Sequence, residues 1–464
     1  MSLFQGLEMG KRALLAHQLS LNTAGHNISN VNTPGYTRQR VVTTNAYPMD
    51  TPFGQMGVGV DVTRIEHIRD QFLTDRWRSE NQNLSGWSAK ARAFVQLEGF
   101  LNEPQDISLG GMLNDFWAAW QDLSTNPEAP ESRNAVLQQA HVVTNGFHQL
   151  DSQLTDLTRS VDADIASRVD EINSIAAGIA GLNQQIATAE IGGDSANDLR
   201  DRRDHLIDSL SEYSNVTARE DERGRAVVYI GAMAIVDGSD SIALQTNIVS
   251  GDEGTRTTIT WQHSKMEVGF SGGEMGALIE MRDTVLKNYK DELDNLANAI
   301  IDKVNEAHVA GSGLDSVSGR VFFDPLARGA GGISVNREIE SDITRIAASM
   351  SGEVGDGSNA LTIADVLKND RMMNSNTATI EEYYNSIVGT AGMQVREANN
   401  QSENYSLLVQ QIENSRQSVQ GVSLDEEMAN MIKFQHAYEA AARVITFIDS
   451  ALDTLINGTG VTGR

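Results

Sequence analysis

The chain has 464 residues, more than a single hydrophobic core usually organises, so two or three packed units are expected. Its 36 Lys/Arg against 63 Asp/Glu leave a net charge of -27, which argues against a partner with a phosphate backbone, and the lack of cysteine excludes disulfides, thiolate catalysis and cysteine-held metals. No apolar run reaches the roughly 18 residues of a membrane span, and no basic-then-apolar leader opens the chain, so neither membrane insertion nor a cleaved secretion signal is expected.

The charge is uneven. Residues 1–80 hold eight Lys/Arg and seven Asp/Glu, which leaves 28 against 56 for the rest. A nearly neutral segment can pack against copies of itself, whereas the acidic remainder suits a water-facing surface.

At the N-terminus, Ser2 and Gln5 fit a capping box, and Leu7, Leu14, Leu21 and Ile28 recur every seven residues. This predicts a first helix carrying one edge of a coiled-coil seam. Of the companion positions Leu3, Gly10, His17 and Ala24, the last three are small or polar, so the seam is weak alone and needs partners. NISNVNTPGYTRQR, residues 27–40, stops the helix: asparagine tolerates left-handed geometry, and Pro34 disfavours helical angles at Thr33. Pro34 and Gly35 suit the central places of a type II turn with positive φ at Gly35, and the chain beyond reads as an extended arm. In an acidic chain, Arg38 and Arg40 fit salt bridges to neighbouring molecules better than a nucleic-acid contact.

Val58, Val60 and Val62 alternate as in a short strand, followed by a helix from about Ile68 to Leu101. EPQDISLGG breaks it, and Leu113, Phe116, Trp117, Trp120 and Leu123 make the apolar stripe of a short core helix. After the loop STNPEAPES, a helix of roughly 80–90 Å is predicted from about Ser132 to Glu190. Its seam runs through Ile172, Ile175, Ile179, Leu182 and Ile186, with a stutter at Leu154, Leu157, Val161 and Ile165. Between Tyr213 and Gly273, short β-rich runs alternate with DERGR, DGSDS and SGDEGT, predicting a small antiparallel β insertion. Helical spacing returns from Leu278 to Val304, a Gly- and Asp-rich stretch to about Arg371 has no readable period, and a last helical region begins near Ile380.

Ser423 and Glu426 form a second capping box signal. Met431, Phe434, Tyr438, Ala441, Ile445, Ile448, Leu452 and Leu455 then step by three and four without a fault, and Gly458 closes the helix. Seams at both chain ends predict that the termini pair and the middle loops outward. The fold class is mainly α with a small β insertion: a terminal coiled coil of residues 1–40 with 421–464, a long helical rod of 41–212 with 274–420, and an outer antiparallel β domain of 213–273.

TAGHNISNVNTPGYTRQRV, residues 23–41, closely resembles the signature of flagellar rod, hook and hook-associated proteins, and FQHAYEAAARVITFIDSALDTLIN, residues 434–457, resembles their C-terminal motif. Two middle stretches, LANAIIDKVNEAHVAGSGLDSVSGRVFF (296–323) and GDGSNALTIADVL (355–367), are similar to the hook-associated protein 1 family, which forms the junction between hook and filament. The resemblance implies an axial structural protein and not an enzyme. It implies export through the flagellar type III apparatus without signal cleavage, and an extracellular place in a ring at the end of the hook. Implied partners are copies of the chain, the hook protein, a second junction protein and a cytoplasmic export chaperone at the C-terminal helix; neither cofactor nor metal is implied. The implied assembly motif is Asn27, Asn30, Asn32, Thr33, Pro34, Gly35 and Tyr36, and the stripe Met431 to Leu455 is expected to be exposed in the monomer and to serve both chaperone and polymer.

Other classes fit less well. Nine histidines contain no HExxH and no i,i+4 pair, and the Gly-rich GFSGGEMG and GAGG match no phosphate-binding pattern. Asp162 and Asp164 read as a solvated helix face rather than a glycosidase pair. The remaining alternatives are another flagellar axial protein of hook or rod type, or a surface adhesive module whose β unit binds on its own.

Overall fold

The computed structural model describes residues 3–51, 54–101, 108–193, 195–221, 223–251 and 254–458. Ser2 of the N-terminal capping box and residues 103–107 of the expected helix break lie outside them.

Helix α1 (Leu3–Ser29) ends at the asparagines, as expected. The arm that follows is a strand, β1 (Gln39–Asn45), paired antiparallel with β4 (Val60–His67) across a bulge between Val42 and Thr43. Two short strands, β2 (Met49–Thr51) and β3 (Gly54–Met56), pair at the far end of this hairpin. The extended arm and the Val-rich strand are therefore partners, and the hairpin packs against α1.

Helices α2 (Gln71–Leu101), α3 (Leu109–Thr125) and α4 (Pro130–Ala189) begin the body. Pro130 opens α4, where its missing N–H costs nothing, and the helix continues for 60 residues, about 90 Å at 1.5 Å per residue. Its buried seam runs through Val169, Ile172, Ala176, Ile179, Asn183 and Ile186. Ile175 and Leu182, expected on the seam, lie half-buried beside it.

Helix α5 (Asn197–Tyr213) leads into the β unit, where β5 (Val216–Glu220), β6 (Ala226–Ile230), β7 (Met233–Asp237) and β8 (Asp240–Ser241) form one antiparallel sheet in sequence order. β9 (Leu244–Gly251) and β10 (Gly254–Trp261) form a separate hairpin. Two polar side chains of α4 seat both pieces. Asn183 is fully buried, donating to the Ala226 and Gly238 carbonyls at 2.8 and 2.6 Å and accepting the Ala226 N–H at 2.9 Å. Asp162 accepts the Thr257 N–H and hydroxyl at 3.0 and 2.7 Å and an Arg282 N–H at 2.7 Å. Burial alone would raise the Asp162 carboxyl, but the bonds from Thr257 and Arg282 outweigh it and hold the group below the ordinary range. Asp162 is thus a docking residue for the hairpin and not part of a solvated face.

Helix α6 (Gly273–Glu280) passes through a π turn (Met281–Leu286) into α7 (Lys287–Ala310). The stretch with no readable period folds over α3 and α7 with two small helices, α8 (Arg337–Ser341) and α9 (Ser358–Asn369). Side-chain bonds to backbone replace the missing ladders. Asn305 donates to the Phe323 carbonyl at 3.0 Å and accepts the Phe322 and Phe323 N–H groups at 2.9 and 2.8 Å. Buried Arg133 donates to the carbonyls of Pro127 and Ile346 at 2.8 and 2.7 Å, and its burial pulls the guanidinium down to about 10. Phe116, Trp120, Phe322 and Phe323 stack over this scaffold with ring centroids 5.0 to 6.2 Å apart.

His308, fully buried in that cluster, accepts the Ala347 N–H on Nε2 at 2.9 Å, so Nδ1 carries the proton it donates to the Arg320 carbonyl at 2.8 Å. Burial lowers its pKa from the ordinary 6.5 to about 4. A base depressed on folding stabilises fully above its unfolded value, and that contribution is lost as the pH falls from 6.5 towards 4. The loss is about 3 kcal/mol at 1.36 kcal/mol per unit. Urea midpoints taken at pH 7.5 and pH 4.5 are expected to drop more for the wild type than for His308→Gln; parallel drops contradict this.

Helix α10 (Ile380–Gln420) starts with a full capping box of Thr379 and Glu382 and returns along α2. Helix α11 (Leu424–Asp453) is capped by Ser423, which accepts the Glu426 N–H at 3.4 Å, and a π turn (Thr454–Gly458) closes the described chain. Only that half of the expected second capping box forms among the described contacts. Among the described residues no helix is long and apolar enough to cross a membrane, and no His/Asp/Glu cluster could hold a metal ion.

Candidate functional site: the paired termini and the turn between them

Helices α1 and α11 pair, with glycines rather than the leucines as the fully buried positions. The α1 face buried against α11 includes Gly6 and Gly10, where an added Cβ would lie 2.9 Å from Ile448 Cδ1 and 2.8 Å from Ile445 Cγ1. Leu7, Leu14, Leu21 and Ile28 flank this contact half-buried. The small companion positions, read from the sequence as weakness, bring the two axes close, because interaxial distance follows the side chains at the crossing. On α11, Met431, Phe434, Tyr438, Ala441, Ile445, Ile448 and Leu452 are all at least half-buried, whereas Leu455 is 56% exposed in the π turn. The stripe expected to be open in the monomer is therefore largely covered by α1. What α11 shows to solvent is another face, with Ile432, Val444 and Phe447 at 58%, 45% and 75% exposure.

The turn closes as expected. Gly35 has φ 76°, and the Tyr36 N–H donates to the Thr33 carbonyl at 3.2 Å. Asn30 donates to the His26 carbonyl at 3.0 Å and accepts the Thr33 hydroxyl at 3.2 Å, so the second asparagine ties the helix end to the turn. Asn32, Thr33, Pro34 and Gly35 are exposed. A Cβ on Gly35 would lie 2.9 Å from His205 Cβ on α5. Gly35→Val therefore combines left-handed strain of about 1–2 kcal/mol with a contact that moves the arm. The variant is expected to keep the circular dichroism of the wild type and to lose incorporation into flagella; wild-type incorporation contradicts a required turn.

Asn27, 1% exposed, is the centre of the site. Its amide donates to the Gln39 carbonyl at 2.9 Å and to Glu427 Oε2 on α11 at 3.1 Å. Its carbonyl accepts the Tyr36 hydroxyl at 2.7 Å and the Gln39 N–H at 2.9 Å. One side chain thus joins the end of α1, the turn, β1 and the start of α11. His26 Nδ1 lies 3.1 Å from the Tyr36 hydroxyl. Burial, with Asp198, Asp201 and Glu427 close by, pushes the Tyr36 phenol above its ordinary range, so it remains a donor.

Arg38 donates to Glu427 at 2.7 Å and to Glu426 at 2.9 Å, and Arg40 pairs with Glu66 across the hairpin at 2.7 Å. Both arginines, expected to reach neighbouring molecules, find carboxylates in their own chain. Glu426 is turned towards Arg38, the geometry that leaves the second capping box half formed.

Helix α5 supplies residues that the sequence did not mark. Asp201 accepts the Thr37 N–H and hydroxyl at 2.9 and 2.7 Å and lies 2.9 Å from His67 Nδ1; Asp198 accepts from Gln39 at 2.7 Å. Further along, Asp208 accepts from Arg78 at 2.6 Å and Arg416 at 3.0 Å, and Asp204 pairs with Arg69. Burial and the nearby Arg78 push the Arg69 guanidinium down to about 10. These groups bind chain to chain, and no set of them has the geometry of a nucleophile with its base.

Residues 7–37 match a family described as flagella basal body rod protein, 409–458 the flagellar basal body rod FlgEFG protein C-terminal family, and 94–323 the helical domain of flagellar hook-associated protein FlgK. The flagellar hook-associated protein 1 of Bacillus subtilis is 33% identical, with each chain covered completely. The chain belongs to the flagellar hook-associated protein 1 family. That alignment runs to 519 positions, so the Bacillus member of the family carries insertions relative to this chain. The Escherichia coli hook-associated protein 1 is 26% identical over 96% of this chain and 98% of its own. The structure of the flagellar hook junction protein FlgK from Burkholderia pseudomallei superposes with a TM-score of 0.66 at 16% identity, covering 74% of this chain and all of that one, and so shares the hook-associated protein 1 fold. The two rod-type matches fall on α1 with its turn and on the end of α10 with α11.

Proposed function

We propose that the chain is a structural subunit of the junction between the flagellar hook and its filament, assembling through α1 and α11 into a ring on which filament growth starts. The observation that carries this reading is the pairing of α1 with α11, centred on Asn27 and Glu427, within a chain aligned over its whole length to a member of the family. In this reading residues 1–40 with 421–464 form the assembly layer, 41–212 with 274–420 the rod, and 213–273 the outer β unit. The role is structural rather than catalytic. The partners are copies of the chain, the hook protein, a second junction protein and a cytoplasmic export chaperone, and the subunit leaves the cell through the flagellar export channel to an extracellular site. The turn residues Asn27, Asn30, Asn32, Thr33, Pro34, Gly35 and Tyr36 fix the angle at which α1 leaves the layer.

Because α1 covers the stripe from Met431 to Leu452, chaperone binding there requires α1 to be displaced, as does export of an unfolded chain. Chaperone binding and the α1–α11 pairing then exclude each other without a chemical switch. Replacing Phe434, Ile445 and Leu452 together with Ser is expected to weaken chaperone binding and polymer incorporation in parallel. Full chaperone affinity in the triple variant, measured by calorimetry, separates the two sites. The function itself is tested by adding purified chain to isolated hooks that lack it, followed by flagellin: immunogold label at the distal hook end with filament outgrowth is expected, and label scattered along the hook overturns the assignment.

A further inference from the structure

The main apolar core of the body runs from Ala89 to Ala398. Among the described residues, the chain before Ala89 and after Ala398 buries only Ala16, Ala24, Ala46, Ile412, Ala441 and Ile448 as apolar side chains. The ends of α2 and α10 nearest the termini instead bury Thr74, Arg78, Asn81, Arg416 and Gln420. The terminal pair and its hairpin therefore meet the body with few fully buried apolar side chains among the described residues.

What they sit on is one face of α5. Asp198, Asp201, Asp204 and Asp208 recur at three- and four-residue spacing and so line one side of that helix. The first two hold the arm, through Gln39, Thr37 and His67. The last two hold the points where the chain enters and leaves the body: Arg69, directly after the hairpin, on Asp204, and Arg416, in the last turns of α10, on Asp208.

We propose that Asp198 and Asp201 form an electrostatic seat, on which the terminal module of α1, the hairpin and α11 docks and from which it lifts as one unit, while Asp204 and Asp208, paired with Arg69, Arg78 and Arg416, brace the body that stays folded. With few apolar side chains fully buried there, ion pairs and charge-assisted hydrogen bonds carry much of the free energy of docking, and their exposed members are screened by salt. An interface with little apolar area is also the kind across which domains move. Within the module the α1–α11 contact through Gly6 and Gly10 is apolar and insensitive to the same change. The hairpin, residues 39–67, belongs in this view with the terminal layer and not with the rod. The inference stands whether or not the chain caps hooks, since its test is made on the free monomer.

Amide hydrogen exchange on the full chain tests it. Between about 0.05 and 1 M NaCl, the Thr37 amide, which bonds Asp201, is expected to exchange about tenfold faster, while the Gln39 amide, bonded inside the module to Asn27, and the amides of α4 stay protected. The double variant Asp198→Asn with Asp201→Asn is expected to give the same pattern at low salt and to lose most of the salt response. Arm and body amides accelerating together show a single cooperative unit and overturn the proposal. Arm amides indifferent to both salt and substitution overturn it equally, because the seat is then not electrostatic. The salt titration needs no variant, so a misfolded double mutant does not remove the test.

Discussion

Gly10→Leu is expected to abolish filament growth while leaving the body folded. A Cβ at this position meets Ile445 Cγ1 at 2.8 Å, with the Ala441 carbonyl oxygen at 4.0 Å, and a leucine side chain adds three more carbons to a gap that does not hold the first. Overpacking of a core site typically costs about 1–3 kcal/mol. Here two helical backbones must separate, and the neighbouring Gly6–Ile448 contact opens with them. The apolar stripe of α11 then loses its cover, and exposed stripes of that kind associate non-specifically. The readout is twofold: thermal unfolding of α4 and its core unchanged, and hooks without filaments in cells that express only the variant. Normal filaments from Gly10→Leu contradict the close α1–α11 contact.

The second large effect is at Asn27. Asn27→Ala removes two donors and two acceptor bonds at once, leaving the Gln39 N–H and carbonyl without their partner and Glu427 without one of its donors. Tyr36 loses its acceptor but keeps His26 Nδ1 within 3.1 Å. Orphaning buried groups costs about 1–3 kcal/mol each, and with water able to reach part of the arm the expected total is roughly 2–4 kcal/mol, felt locally. The arm and the start of α11 are expected to become protease-sensitive while the rod resists digestion. Asn27→Asp is expected to be no better, since a carboxylate cannot donate to Glu427 and repels it. Wild-type digestion kinetics in Asn27→Ala contradict the central role given to this side chain.

Much of this was legible in the sequence because strong local signals carried it. Pro34 and Gly35 act through φ, so the turn could be read without tertiary knowledge, whereas Asn27, Asn30 and Asn32 do not take the left-handed geometry expected of them, and Asn30 instead ties the helix end through side-chain bonds to His26 and Thr33. The 3–4 spacing of α4 and α11 likewise fixed the long helices. The seam on α1 misled because its most apolar repeat, Leu7 to Ile28, is only half-buried, while Gly6, Gly10, Ala16 and Ala24 are fully buried. Close approach is made by the residues with the least side chain, and a hydrophobicity pattern scores those as gaps. Helix α5 was silent for a related reason: NDLRDRRDHLIDSLSEY is mostly charge, and its role lies in where the aspartates point, which is set by α2, α10 and the hairpin. Asn183, Arg133 and His308 each satisfy backbone groups from distant parts of the chain, at sequence separations that no local window reaches. The region of residues 311–379 has no period because few of its backbone groups are paired in ladders; Asn305, Asn359 and Asp356 bond them one at a time.

The central claim, that this chain is the structural link between hook and filament and links through its paired termini, is tested most directly by electron microscopy of a strain that carries, in place of the full gene, one lacking codons 424–464. The account predicts bare hooks of normal length, unpolymerised flagellin in the medium, and filaments restored by the full-length chain. Filaments of ordinary length growing from the hooks of the truncated strain would contradict it.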